Sequence, residues 1–287
     1  MISLVTGGAG FVGSHLCERL LKEGHEVYSL DNYFTGSESN HIQGVNYFKG
    51  ETAEISNIMP DEKYDFVFHL GEFSRVERSF DDIDLVFKYN WNSIYAILKF
   101  TKDNKSKLIY SGSSTKFGDS GKNKFESPYS FTKYSNSMLV KSYAEWNDLN
   151  YAITYFYNVY GEREIESGAY ATVVAKFLRQ KRSGSQKLQV VSPGTQTRNF
   201  THVSDIINGL ILVGEKGFGD DYGIGSDESC SIIELANLFD LPFELVPANK
   251  GNRLSSELKN VKVKDLGWNP KVKLKDYILQ CLNEGIE

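Results

Sequence analysis

The sequence is poor in the features that mark several protein classes. Only three of its 287 residues are cysteines, Cys17, Cys230 and Cys281, far apart and without a CxxC pair. An odd, scattered set makes no disulfide scaffold and points to a reduced, cytoplasmic setting. The five histidines show no HxxxH or similar ligand spacing, so no metal is expected. No apolar run approaches the roughly 20 residues that span a bilayer, which argues against a membrane protein. The chain opens directly on a strand-like "MISLVTGG", which leaves no room for a signal peptide. Basic excess is missing too. A net charge of −5 has the wrong sign for a general nucleic-acid binder, which must displace counterions with a basic face. No GxxxxGK[ST] sequence occurs, which removes the usual phosphoryl-transfer reading. Internal repeats and low-complexity segments are also absent.

What is present is a regular alternation of elements. "ISLVT" (2–6), "EVYSL" (26–30), "VNYFKG" (45–50), "YDFVFHL" (64–70), "KLIYSG" (107–112) and "YAITYFY" (151–157) are rich in β-branched and aromatic residues. They lack clean polar/apolar alternation, as strands covered on both faces do. Helical segments at 11–23, 81–102 and 128–147, and a short turn near 53–58, lie between them. This series predicts an α/β fold, a Rossmann-type doubly wound parallel sheet with right-handed crossovers. After residue 157 the pattern loosens. A helix near 169–182 precedes "KLQVV" and "RNFTHV", expected to pair across the turn "SPGTQT". Then come a helix at 204–215, a strand near 221–225, a helix at 231–239, the strand "PFELVP" and two short tail helices around Asn269-Pro270. The second part reads as a smaller α/β unit, with a boundary the chain is free to cross again.

"VTGGAGFVG" follows the first strand and opens the first helix. Gly7 and Gly8 permit a tight turn, Gly10 lets a diphosphate approach the backbone, and Gly13 lets the helix pack close to the sheet. The helix N-terminus supplies free N–H groups and partial positive charge for that diphosphate. Such a turn also occurs without a ligand, but here it has the strand before it and the helix after it that the chemistry needs. Asp31, at the end of the second strand, is placed to accept hydrogen bonds from ribose hydroxyls and would repel a 2′-phosphate, which favours NAD over NADP. Its plainer reading is a turn cap.

"PYSFTK" puts Tyr129 and Lys133 four residues apart, on one face of a helix. Taken alone, YxxxK is most simply a surface pair. A phenol in water titrates near 10, so a phenolic base at neutral pH needs neighbouring cations in a site that excludes water.

The ordered motifs "TGGAGFVG", "DNYFTG", "HLGEFSRVERS", "YSGSSTKFG", "PYSFTK", "YFYNVYG" and "GTQTRNFTHVSD" together resemble the extended short-chain dehydrogenase/reductases that act on nucleotide sugars. The similarity runs across almost the whole chain. It implies residues 1–157 as an NAD-binding part that carries the catalytic residues, and 158–287 as a mainly nucleotide-sugar-binding part. It implies Tyr129 as base, Lys133 as its electrostatic partner and Ser113 as hydrogen-bond donor to the reacting oxygen. Around NAD it places Gly7, Gly10, Phe11, Val12 and Gly13 in the turn, then Asp31 and Asn32, with Glu51 toward the adenine amine beside Thr52. Leu70, Gly71, Glu72, Asn90, Ser111 and Phe156, the last beside the nicotinamide, complete the cofactor set. Arg75, Ser114 and Thr115 join Ser113 on the substrate, with Asn158 and Arg198 at the diphosphate.

Departures from the family pattern carry information. The dehydratases have Thr-Asp-Glu where this chain has Ser113-Ser114-Thr115, so no 4,6-dehydration is expected. What remains is NAD-dependent oxidation or reduction at C4 of a GDP- or UDP-linked sugar, by a 4-epimerase or a 4-dehydrogenase, in capsule or lipopolysaccharide sugar synthesis. The "HLGEFSRVERSF" phrasing resembles the GDP-heptose 4-dehydrogenase branch. Glu72 replaces an alanine of the usual "HLAA"; a hydrogen bond to a substrate hydroxyl and a salt bridge with Arg75 or Arg78 are the two options. A second family arginine is missing from its place, and "NKGNR" offers Lys250 or Arg253 instead. His202 is expected to be structural. Family members pair through two long helices, here 81–102 and 128–147, which implies a homodimer or higher homo-oligomer. The alternatives are a non-catalytic NAD-binding sensor or scaffold, which the intact Ser-Tyr-Lys set disfavours, and a single-strand nucleic-acid binder, which the charge disfavours.

Overall fold

The computed structural model describes residues 1–248 and 250–284. Seven parallel strands form the central sheet: β1 (Ile2–Thr6), β2 (Glu26–Asp31), β3 (Asn46–Lys49), β4 (Phe66–His69), β5 (Lys107–Ser113), β6 (Tyr151–Phe156) and β7 (Gly219–Ile224). Their order is β7-β6-β5-β4-β1-β2-β3. The order reverses between β1 and β4, so a crevice opens beyond the carboxyl ends of those strands. Both faces of the sheet are covered. Leu4 of β1 packs into a core with Ile94, Ile97, Leu98 and Val140. Its neighbour Val5 points the other way, into a core with Leu16, Phe68, Ile206 and Leu210. This two-sided burial explains the near-continuous apolar strands.

Among the helices, α1 (Phe11–Lys22), α2 (Asn92–Asn104) and α3 (Pro128–Asn147) lie close to the expected positions. The long helix expected over 81–102 is interrupted by a π-helical turn, Phe87–Trp91, ahead of α2. The first turn of α3 is set by its sequence. The Ser127 hydroxyl accepts from the Ser130 N–H at 3.0 Å, and Pro128 takes the first helical position, where its missing N–H does no harm. That cap places Tyr129 in the first turn and Lys133 one turn further on.

Beyond β6, α4 (Val173–Arg182) and α5 (Val203–Lys216) precede β7, and α6 (Leu274–Asn283) closes the described chain. A third core, with Phe177, Leu188, Val190, Leu235, Phe239 and Ile278, holds the smaller part together. The expected pairing of "KLQVV" with "RNFTHV" does not occur. Leu188–Val191 pairs in parallel with Phe243–Val246, Thr197–Asn199 pairs antiparallel with Ser229–Ser231, and Thr201–His202 pairs with Val159–Tyr160. The segment near 221–225 is β7, which returns the chain to the edge of the main sheet beside β6. No helix among the described residues is long and apolar enough to cross a membrane.

Candidate active site

A cleft of about 970 Å³ lies where the strand order reverses, and the smaller part forms its far wall. At its floor is the glycine turn. Gly7 has φ +74°, and a Cβ there would sit 2.9 Å from the backbone of Gly71. A Cβ on Gly13 would lie 2.0 Å from the Gly7 carbonyl oxygen, so only glycine lets α1 start this close to β1. No side chain caps the N-terminus of α1, which leaves its first-turn N–H groups for an anion. The lining here includes Gly10, Phe11 and Val12.

Asp31 lines the same end. Its two oxygens accept from the backbone N–H groups of Ala9 (2.9 Å) and Tyr33 (2.8 Å), as in the turn-cap reading. Burial pushes its carboxyl above the usual value, while those two N–H bonds work to lower it. Asn32 and Lys88 donate to Glu51 at 3.3 and 3.0 Å. Thr52 adjoins them, and Lys88 is a cleft residue that no motif singled out.

Toward the other end stand Leu70, Gly71, Glu72, Ser111, Ser113, Tyr129, Lys133 and Phe156. Ser113 Oγ accepts from the Thr115 hydroxyl (3.0 Å) and backbone N–H (3.3 Å). With its acceptor side used, its own proton is left to donate into the cleft. The Tyr129 hydroxyl has no protein hydrogen bond among the described residues, although the residue is only 9% exposed. Its ring packs on Phe73 and Val86. Lys133 donates to the Ser111 carbonyl and to Glu72, whose side chain is 1% exposed. The expected salt bridge of Glu72 with Arg75 or Arg78 is therefore overturned. Arg78 pairs with Asp81 and Asp82, and Arg75 donates to the Tyr170 carbonyl. The Glu72 carboxylate accepts from Lys133, Tyr110 and Asn136, with His69 close by.

Asn90 does not reach the cleft. Its side chain is fully buried in the π turn, where it accepts from the Phe73 N–H at 2.6 Å and donates to Thr132 at 3.1 Å. It pins the loop after β4 onto α3 instead of meeting a ligand.

The far side of the cleft carries several guanidinium groups. Arg75, Arg198 and Arg253 all line it, and none has a carboxylate within ion-pair distance among the described residues. Burial, then repulsion by Arg253, pushes Arg198 down to about 10. Arg253 donates to Ser114 at 3.2 Å, and Lys250 lies exposed, so Arg253 is the residue the structure brings to the site. Burial pulls Arg75 down as well, opposed by the Glu164 carboxyl and the Tyr129 phenol nearby. Glu164 has no motif. Burial pushes its carboxyl up to about 8, and Thr172 donates a hydrogen bond to it. Asn158, at φ +36°, lines the same wall. His202 caps α5 by accepting from the Ser204 N–H, a structural task.

A crevice with a glycine-floored anion site, a Ser-Tyr-Lys set and an arginine-lined far wall is suited to a dinucleotide facing an esterified sugar. A model described as "NAD dependent epimerase/dehydratase family" matches residues 3–225. The chain belongs to that family. Within it, the UDP-N-acetyl-alpha-D-glucosaminuronate decarboxylase of Bacillus cytotoxicus is 31% identical over 81% of this chain and 77% of its own. A putative UDP-glucose 4-epimerase of Methanocaldococcus jannaschii is 28% identical, over 98% of this chain and 97% of its own. The crystal structure of a UDP-glucose 4-epimerase from Thermotoga maritima with UDP-glucose superposes with a TM-score of 0.90 at 27% identity, across the whole of both chains. The cofactor of this epimerase/dehydratase family is NAD. The uncapped start of α1 and the glycines beneath it fit its diphosphate.

Proposed function

We propose that this family member oxidises or reduces C4 of a nucleotide-diphosphate sugar, as a 4-epimerase or a 4-dehydrogenase. The observation that carries this reading is the Ser113-Tyr129-Lys133 set beside a buried Ser114-Thr115 pair. The set suits hydride chemistry at one carbon, and the pair offers no acid or base for loss of water. NAD, when bound, supplies the hydride acceptor. Tyr129 takes the proton of the sugar hydroxyl, Ser113 donates a hydrogen bond to the same oxygen, and the Lys133 ammonium, paired with Glu72 one turn away, keeps one N–H for the cleft. Arg198 and Arg253 take the diphosphate, where planar forks of N–H donors match phosphate oxygens. Glu51, Thr52 and Asn32 hold the adenosine end, and Phe156 and Ser111 flank the reacting end.

A specific observation adds a uronate to the candidate sugars. Arg75 stands near Tyr129 without a carboxylate partner among the described residues, and a uronate carboxylate would supply one. Oxidation of a uronate at C4 makes its carboxylate β to a ketone, and such acids lose carbon dioxide readily. Assembly follows the family. Phe87, Trp91 and Met138 are 36%, 45% and 44% exposed along the π turn and α3, and they form the proposed homodimer face.

The test is purified protein with NAD and a panel of UDP-glucose, UDP-glucuronate, GDP-mannose and GDP-heptose. A near-ultraviolet band of reduced nicotinamide, or a C4 epimer found by NMR, supports the reading when Tyr129→Phe abolishes it. A 4-keto-6-deoxy product would replace it with dehydration.

A further inference from the structure

Glu72 sits where four elements meet. It follows β4 in the loop, faces Tyr110 of β5, and lies against Lys133 and Asn136 of α3. Tyr110 donates to Oε2 at 3.0 Å, and Lys133 donates to the same oxygen. Asn136 donates to Oε1 at 2.9 Å. His69 Nε2 approaches Oε1 at 3.6 Å. The state of that imidazole follows from its other side. Thr6 Oγ1 accepts from the backbone N–H groups of Leu70 and Gly71, so its own proton goes to His69 Nδ1, 2.7 Å away. With Nδ1 accepting, Nε2 carries a hydrogen toward Glu72. The carboxylate thus accepts three hydrogen bonds from β5 and α3, with the His69 imidazole of β4 beside it at 3.6 Å. Burial works to raise its pKa, yet Lys133 and then His69 outweigh it and hold the carboxyl well below the usual range. Burial, reinforced by Glu72, pushes Tyr110 well above its ordinary value, so that phenol keeps its proton and donates it to Glu72.

The consequence falls on Lys133. Its ammonium has three N–H groups, and Glu72 and the Ser111 carbonyl take two, which leaves one for the cleft. We propose that Glu72 is a positioning residue that fixes the rotamer of Lys133 and cancels its charge, so that the ammonium does not weigh against oxidised relative to reduced nicotinamide at this end of the cleft. Oxidised nicotinamide carries a positive ring and the reduced form does not, so a neutral Lys133–Glu72 pair disfavours the oxidised form less than a lone ammonium would. The other charged or titratable groups near this end are Tyr129, Arg75, Arg253 and Glu164, none of which contacts Glu72. This inference rests on NAD binding, not on the C4 reading, and its test needs no sugar.

The test measures dissociation constants for NADH, by its fluorescence, and for NAD, by competition, in wild type, Glu72→Gln and Glu72→Asp. The expected result is a rise of about tenfold in the ratio of the NAD constant to the NADH constant in Glu72→Gln. That rise equals about 30 mV in the potential of the bound couple. Glu72→Asp keeps the charge and holds the ratio near the wild-type value, even where it weakens both ligands alike. A Gln ratio unchanged from wild type, or an Asp ratio that moves as far as the Gln ratio, overturns the proposal. If Glu72→Gln alone does not fold, the double variant Glu72→Gln, Lys133→Met removes both charges together. Its ratio must stay at the wild-type value. A drop would mean that Glu72 was not cancelling Lys133, and the proposal would fall.

Discussion

The glycine turn allows packing to be separated from ligand binding, because Gly10 and Gly13 differ in what a methyl group would meet. At Gly13 an added Cβ would lie 2.0 Å from the Gly7 carbonyl oxygen, 2.8 Å from its carbon and 2.9 Å from the Gly8 Cα. All three are backbone atoms and cannot swing aside, so α1 must lift away from the sheet by more than an ångström. Overpacking of this kind typically removes about 1–3 kcal/mol. For 287 residues, an unfolding entropy of about 2.1 cal/mol/K per residue makes 3 kcal/mol a drop of roughly 5 °C in melting temperature. At Gly10 the only atom within contact is the Gly7 oxygen, at 3.2 Å, and the backbone is extended at φ −80°, which any residue adopts. Gly10→Ala should therefore melt within about 2 °C of wild type, since its single contact needs only a few tenths of an ångström of relief. Its methyl group projects toward the anion site, so NAD affinity should fall at least tenfold, about 1.4 kcal/mol. Differential scanning calorimetry and NAD titration calorimetry read the two quantities. Wild-type NAD affinity in Gly10→Ala would refute the placement of the diphosphate, and a wild-type melt in Gly13→Ala would refute the close-approach argument.

Other outcomes can be checked on the same protein. Tyr129→Phe should keep cofactor affinity and lose about 10²–10⁴-fold in turnover with whichever sugar nucleotide proves to be a substrate, as expected when a proton acceptor is removed. Arg198→Ala and Arg253→Ala should each weaken UDP or GDP binding, read by calorimetry, by about 1.5–3 kcal/mol, the usual worth of a charge-assisted hydrogen bond. Glu164 is protonated in the folded protein up to about pH 8, whereas the ordinary value is 4.5, so between those limits the unfolded chain ionises first and the folded state loses ground as pH rises. Glu164→Gln lacks that loss. Its denaturation midpoint should gain on wild type across that window, and parallel curves would show that the carboxyl is not held neutral.

The first half of the fold was legible because most of its strands are buried on both faces and two of its helices have clear start signals, Ser127-Pro128 and the glycine turn. Strand partners in the second half were not. "KLQVV" and "RNFTHV" are recognisable as strands, but three β-branched or apolar residues apiece say nothing about which distant segment lies alongside, and their partners come from 243–246, 229–231 and 159–160. The cleft residues were largely recoverable through motifs with fixed spacing. Asn90 was not, since its family position says nothing of the π turn that swings its amide into the interior. Glu72 stood out as a departure, yet its partner is 61 residues away, whereas the arginines that seemed natural are three and six residues on and face elsewhere. Glu164 and Lys88 have no pattern around them and emerge only when the cleft is assembled.

β7 comes from beyond residue 218 yet hydrogen-bonds to β6, so the polypeptide leaves the nucleotide-binding body and later re-enters it. The smaller part, to which sugar recognition is proposed to belong, is thus an excursion interrupted by the return, not an appendix. Anyone wishing to transplant a different sugar specificity must cut and rejoin at more than one junction. A single splice after Phe156 would strip the outermost ribbon from the sheet and leave β6 with bare amides and carbonyls, a ready template for aggregation.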